Sequence, residues 1–196
     1  MKQVANSNIC LIAMGSSTGG TEALSYILPR LQPPLPGIVI VQHIPPMFSH
    51  LLAQRLDNEC PLSIKEAATG DIIRPDHVYI APGGRHMTVY PDGSRLMIDC
   101  RPGPPVHSCC PAVDVLFQSV ARTVGVRAMG VILTGMGRDG AAGLLAMHQQ
   151  GSPTLGQDKA SSVVYGMPKA AYELGAVDRQ VSLKDMPAAI ANLARQ

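Results

Sequence analysis

The chain has 196 residues, of which 46% are hydrophobic and only 15% charged, a balance that argues against long-range disorder and predicts one domain with a core of its own. Its formal net charge is +2, it has no tryptophan and no run of basic residues, and it therefore lacks the usual features of a nucleic-acid-binding protein. The five cysteines form no C-x-x-C pair, which favours reduced thiols in a cytoplasmic protein, and no apolar stretch is long enough for membrane insertion.

Residues 1–8 are polar and are expected to form a tail before a single domain over residues 9–196. Three short runs rich in β-branched residues then predict buried strands of a parallel sheet: Ile9–Met14, Gly37–Gln42 and Gly130–Thr134. Because helical patterns separate these strands, the chain is an α/β protein with right-handed crossovers and helices on both faces of a mainly parallel sheet.

The helical patterns repeat apolar residues every three to four positions, over residues 23–31, 48–56, 113–124 and 140–150. A last surface helix over 183–196 is expected to begin at Asp185, with Pro187 in its first turn. One segment interrupts the alternation, because His86–Tyr90 and Arg95–Asp99 flank an Asp-Gly turn and predict a β-hairpin excursion.

Three chemically useful side chains follow the three buried strands. Ser17 lies in a G-x-S-x-G pattern after the first strand, His43 follows the second, and Asp139 comes shortly after the third. The carboxyl ends of parallel strands meet at one edge of a sheet, so these side chains are predicted to be a nucleophile, a general base and an orienting acid. Ser16 is a rival nucleophile, but only Ser17 occupies the centre of the pattern. Asp139 is also expected to cap a helix.

Two alternative interpretations involve other chemistry. Gly135–Gly140 matches the G-x-G-x-x-G dinucleotide fingerprint, and Asp158 follows 19 residues after Asp139. The alternative function that this motif suggests is that of a nucleotide-binding module. Two observations count against a nucleotide site. The motif comes late in the chain rather than near the first strand, and the Asp139 carboxylate would repel a bound pyrophosphate. His107, Cys109 and Cys110 lie close in sequence, but adjacent cysteines are awkward joint ligands, so no metal site is predicted. No cysteine is expected beside a histidine at a strand end.

Six motifs in fixed order resemble the catalytic domain of the bacterial chemotaxis protein-glutamate methylesterases, the CheB family. They are Gly15–Glu22, Val41–Pro46, Val78–Gly83, Val113–Phe117, Val131–Ala141 and Val164–Pro168. The resemblance covers nearly the whole chain from Ile9 onwards. Three places depart from the family pattern: Ser16, Met47 and the stretch His107–Cys110.

The resemblance implies a doubly wound, three-layer αβα domain in which Ser17, His43 and Asp139 are the catalytic triad. It places Thr18 and Met136 in the oxyanion and substrate-binding site. The implied reaction is hydrolysis of glutamate γ-methyl esters on the cytoplasmic helices of methyl-accepting chemoreceptors, with release of methanol, and deamidation of particular receptor glutamines.

This chemistry requires no metal or organic cofactor. The family usually carries an N-terminal receiver domain. With eight residues before the first strand, none is expected within this chain, and a separate receiver domain or kinase complex is a candidate partner.

Overall fold

The computed structural model describes residues 9–195, so the predicted tail over residues 1–8 lies outside the described part. Nine strands are present in that part: β1 (Leu11–Ser16), β2 (Gly37–Gln42), β3 (Ser63–Glu66), β4 (His77–Ile80), β5 (His86–Asp92), β6 (Arg95–Arg101), β7 (Ala128–Ile132), β8 (Thr154–Gln157) and β9 (Arg179–Val181). Six α-helices accompany them: α1 (Gly20–Ile27), α2 (Phe48–Glu59), α3 (Val113–Thr123), α4 (Ala141–Gln149), α5 (Met167–Glu173) and α6 (Met186–Ala194).

Seven of the strands form one parallel sheet in the order β3-β4-β2-β1-β7-β8-β9. The order reverses at β1: β2, β3 and β4 lie on one side of it, with β4 between β2 and β3, and β7, β8 and β9 follow in sequence on the other. The remaining strands, β5 and β6, pair antiparallel around a turn at Gly93, as the Asp-Gly motif predicts. This confirms the predicted doubly wound α/β class with a hairpin excursion.

The sheet separates two hydrophobic cores, because successive residues of a strand point to opposite faces. In β1, Ile12 and Met14 pack on one side with α1, α2 and α6. Leu11 and Ala13 pack on the other side with α3, α4, α5 and the hairpin. The three layers therefore leave the carboxyl ends of the central strands free to carry functional groups.

Two predicted strands differ from the structure by two residues. β1 begins at Leu11 rather than Ile9, and its ladder with β7 begins at the pair Leu11–Ala128. β7 correspondingly ends at Ile132, although the amide of Leu133 still donates to the carbonyl of Gly15. Hydropathy predicts which residues are buried, whereas the first and last residues of a strand depend on where its hydrogen bonds with the neighbouring strand begin and end.

The last helix also differs in detail from its prediction. Asp185 does stand at its N-terminal cap position, but its side chain makes no capping hydrogen bond and accepts instead from the Ser182 hydroxyl at 2.7 Å. One face of the helix packs into the core through Met186 and Ile190, and the other, with Ala188 and Asn192, is exposed. No helix between residues 9 and 195 is both long and apolar enough to span a bilayer.

Candidate active site

Ser17 lies in the turn that joins β1 to α1. Its amide donates to the carbonyl of Thr134 at 3.0 Å, and its own carbonyl accepts from the Gln42 side chain at 2.9 Å. Gly19 follows in the left-handed conformation, with φ 79°, and allows the chain to reverse into the helix. The half-buried Ser17 is thus fixed through its backbone at the edge of the sheet.

Ser16, the rival nucleophile, faces the interior. Its side chain is fully buried, and its hydroxyl donates to the Gln42 carbonyl oxygen at 2.6 Å. It therefore helps to hold the Gln42 side chain, which in turn binds the backbone of Ser17 and His43. This position is structural and offers no route to a substrate.

His43 stands beside Ser17 because it follows the adjacent strand. Ser16 and Gln42 are register partners in β1 and β2, so the next residues, Ser17 and His43, leave neighbouring strands at the same level. The amide of His43 donates to the carbonyl of Ser16 at 3.0 Å. Its imidazole Nε2 lies 2.7 Å from Oδ2 of Asp139. In the described residues no hydrogen bond joins the imidazole to the Ser17 hydroxyl.

Asp139 is buried and hydrogen-bonded on both carboxylate oxygens. Oδ2 accepts from His43 and from the amide of Val113 at 2.7 Å, and Oδ1 accepts from the amide of Asp114 at 2.9 Å. It therefore caps α3, which is distant in sequence, whereas the helix that follows it, α4, begins after Gly140.

Burial opposes ionisation of Asp139, but these three hydrogen bonds outweigh burial and lower the pKa of the carboxyl below its ordinary value. The carboxylate is therefore ionised at neutral pH and accepts the proton on Nε2 of His43. In the neutral imidazole Nδ1 then carries the lone pair, the form required of a general base.

Thr18 and Met136, predicted for the oxyanion and substrate site, lie on two turns at the same sheet edge. Both residues are exposed, with Met136 exposed by 74%. No acceptor between residues 9 and 195 takes a hydrogen bond from the amide of either residue. Free amides beside a serine are the donors that an oxyanion would use.

A cysteine that the sequence analysis did not place in the site lies against the histidine. Sγ of Cys109 is 3.5 Å from Nδ1 of His43. Burial, together with the charge of Asp139, raises the pKa of this thiol above its usual value. Cys109 lies in the loop between β6 and α3, and no local pattern in the sequence predicts that this loop reaches His43.

A second histidine–aspartate pair adjoins the first. Nε2 of His107 lies 2.9 Å from Oδ2 of Asp114, whose Oδ1 accepts from the amide of Gly143 at 2.6 Å. Burial raises the pKa of Asp114, although these hydrogen bonds partly offset the effect. This pair ties the start of α3 to α4 and does not contact Ser17.

The glycines of the Gly135–Gly140 loop pack against protein atoms. A Cβ at Gly135 would overlap Met167 and Ser17, and one at Gly140 would overlap Val113. Only the middle glycine of the motif has open space beside it. Asp158 caps its own turn through Ser161 and does not face this loop. These contacts favour a packing role for the motif over the cradling of a pyrophosphate.

Exposed apolar side chains surround the sheet edge. We call them the apolar rim: Met47, Phe48, Leu51, Met136 and Val163. Met47, Phe48 and Leu51, in and just before α2, are exposed by 80%, 58% and 55%. The Val163 side chain lies against Gly19 beside the serine turn. Clustered apolar exposure of this kind is typical of surfaces that bind another protein.

Comparison with known proteins gives consistent similarities. The family model described as CheB methylesterase matches residues 12–190. A protein-glutamate methylesterase/protein-glutamine glutaminase of Syntrophotalea carbinolica is 50% identical over 192 residues, which is 98% of this chain and 54% of that protein. A protein of the same description from Salmonella typhi is 49% identical over 176 residues, 90% of this chain and 50% of its own length.

Among solved structures, the crystal structure of the Thermotoga maritima CheB methylesterase catalytic domain superposes with a TM-score of 0.91 at 35% sequence identity. The match covers 93% of this chain and 97% of the other. The chain spans about half the length of the curated relatives it matches.

Proposed function

Because the chain belongs to the CheB methylesterase family, we propose that it hydrolyses glutamate γ-methyl esters on methyl-accepting chemoreceptors and releases methanol. The observation that carries the proposal is the 2.7 Å contact between His43 and Asp139 beside the serine turn. The substrates are the cytoplasmic helices of the receptors, and the protein works in the cytoplasm.

The reaction begins at Ser17. Its Oγ attacks the ester carbonyl while Nδ1 of His43 takes the hydroxyl proton, because Nε2 is already engaged with Asp139. The Asp139 carboxylate holds the ring and stabilises the imidazolium that forms. Hydrogen bonds with the nucleophile are often long before substrate binds, so closure of the Ser17–His43 contact belongs to the substrate complex.

The amides of Thr18 and Met136 receive the negative charge that develops on the carbonyl oxygen. Removing one such donor typically raises the barrier by about 2.7–4 kcal/mol. Methoxide then leaves as methanol with the proton from His43, and a water molecule, deprotonated by the same imidazole, cleaves the acyl-enzyme to the glutamate. With ammonia as the leaving group, the same steps deamidate a receptor glutamine.

The apolar rim contacts the receptor helix. Methylated glutamates lie on helices whose neighbouring turns present side chains three and four positions away, and an apolar surface beside Ser17 binds such a face.

A separate receiver domain or kinase complex is the proposed source of regulation.

The test is methanol release from methylated receptor by matched serine variants. Ser17→Ala is expected to lower the rate by about 10³-fold or more, because the neighbouring Ser16 hydroxyl is buried and bonded to Gln42 and cannot replace it. Ser16→Ala, which removes only the buried hydroxyl next to it, is expected to stay within about threefold. A Ser17→Ala protein that is folded and still releases methanol at the parent rate would refute the proposal.

A further inference from the structure

The proposed reaction leaves one reactive group in the site without a role. The half-buried thiol of Cys109 faces Nδ1 of His43 at 3.5 Å, on the nitrogen that must take the proton from Ser17. Within residues 9–195 no other cysteine makes such a contact with a histidine. An imidazole nitrogen and a sulfur converging on one point are a familiar pair of donors for a soft or borderline cation.

The distance between the two atoms suits one shared ion. Zinc binds histidine nitrogen at about 2.0–2.1 Å and cysteine sulfur at about 2.3 Å, so a tetrahedral angle separates the two donors by about 3.5 Å. Nδ1 of His43 and Sγ of Cys109 have this separation without any movement. Because Asp139 accepts the Nε2 proton, the Nδ1 lone pair is available to a metal.

Asp139 completes the arrangement from behind the histidine. His43, Cys109 and Asp139 bring their donor atoms within 4.8 Å of one another. Both oxygens of the carboxylate are occupied by the amides of Val113 and Asp114, so Asp139 orients the ring and does not bind the ion directly. A carboxylate behind a metal-binding histidine fixes its tautomer and raises its basicity.

We propose that Nδ1 of His43 and Sγ of Cys109 form a binding site for a zinc-class divalent cation, and that occupancy of this site switches the enzyme off. On binding, the thiol loses its proton to solvent, a sulfur–metal bond forms, and the imidazole lone pair is donated to the ion. Water completes the coordination. The bound imidazole can no longer accept a proton from Ser17. The inhibition rests on the proposed function, whereas the binding does not.

Cadmium titration of the chelator-treated protein tests the binding directly. Cd²⁺ is expected to produce its ultraviolet thiolate charge-transfer band, saturating at one equivalent, and Zn²⁺ is expected to compete for the site. Cys109→Ser is expected to lose the band, while the neighbouring Cys110→Ser keeps it and serves as the matched control. The absence of a band, its persistence in Cys109→Ser or its loss in Cys110→Ser would each overturn the site.

A second variant keeps the test decisive if Cys109→Ser fails to fold. His43→Gln retains the thiol but removes the nitrogen donor, and it is expected to weaken zinc competition at least tenfold. Unchanged zinc affinity in folded His43→Gln would show that an isolated thiol binds the ion and would overturn the paired site.

Activity forms the other arm of the experiment. Zn²⁺ is expected to inhibit methanol release by the parent protein, a chelator to restore it, and Cys109→Ser to resist the metal at least tenfold. Zinc that binds at one equivalent without inhibition would overturn the switch. If the protein releases no methanol at all, the proposed function fails while the cadmium titration still decides the binding site.

Discussion

Asp139 connects chemistry and architecture through one side chain. It holds the ring of His43 and at the same time accepts from the first two amides of α3, Val113 and Asp114. Capping of this kind typically stabilises a helix by about 1 kcal/mol. A substitution at this position is therefore expected to affect both the proposed reaction and the fold, and its test requires a variant that separates the two.

Asp139→Asn is expected to lower the methanol-release rate by about 10³–10⁴-fold, because an amide holds the wrong imidazole tautomer. The matched control is Asp114→Asn, which disturbs the same helix start but not His43. The control is expected to lose stability in a thermal melt yet keep activity within a few fold. Equal losses of activity in both variants would show that the helix start, and not the contact with His43, limits the rate.

The thiols differ in their ability to react. Burial, followed by the charge of Asp99, raises the pKa of Cys100 to about 12, and burial raises that of Cys60 to about 11. Because only the thiolate is nucleophilic, iodoacetamide at pH 8 is expected to label Cys100 last, as followed by mass spectrometry of the folded protein. Labelling in denaturant should remove the difference. Early modification of Cys100 in the folded protein would contradict its burial, at 4% exposure.

The sequence indicates Ser17, His43 and Asp139 because each follows a buried strand within a few residues. Cys109 escapes such reasoning, since it reaches the site through a long loop between the hairpin and α3. The identity of the helix that Asp139 caps is missed for a similar reason. Local pattern predicts that the residue caps a helix, but which helix depends on the packing of α3 against α4.

At the scale of elements, the short edge strands are the least predictable. β3 alternates exposed and buried residues over only four positions, and β9 has three residues of which two are exposed. Their sequences carry little hydropathic signal, because an edge strand has one paired side and partial solvent contact. The central strands β1 and β2 are buried throughout and could be recognised from composition alone.

The approach of α3 to the loop before α4 depends on a missing side chain. Gly140 has φ 90°, and a Cβ there would overlap the side chains of Val113 and Ile132. Gly137 has the same φ of 90° but open space beside it. Gly140→Ala is expected to lower the free energy of unfolding by about 3 kcal/mol, from backbone strain plus overpacking, and Gly137→Ala by about 1 kcal/mol.

Urea denaturation of both variants measures the difference, which isolates the packing contribution because the backbone strain is common to the two. Equal losses would mean that α3 shifts away from residue 140 at little cost, and the close contact would then not determine stability.

At the scale of the whole molecule, the two cores stabilise the sheet, and exposed apolar side chains collect at the carboxyl ends of its strands. The apolar rim lies at that edge, around the turns that carry Ser17 and His43. Val126 is also exposed, by 44%, but it precedes β7 and so lies at the opposite edge of the sheet. Comparing substitutions in the apolar rim with a substitution at Val126 therefore distinguishes an effect on partner binding from a general effect of surface hydrophobicity.

Phe48→Ser combined with Leu51→Ser is expected to raise KM for methylated receptor about tenfold or more, because each side chain contributes roughly 1 kcal/mol when covered. Hydrolysis of a small methyl ester, which has no helix to lay on Phe48 and Leu51, is expected to stay unchanged. Val126→Ser is the control and should alter neither reaction. An unchanged KM for receptor in the double variant would remove the rim from substrate binding.

The cap on α3 can be followed by hydrogen exchange. The amide protons of Val113 and Asp114 are bound to the same carboxylate that contacts His43, so their exchange with deuterium requires the start of α3 and that carboxylate to separate. Their protection factors therefore report how often the resting protein opens the contact between α3 and Asp139. This measurement needs no substrate or inhibitor, because the exchanging amides belong to the protein backbone beside the site.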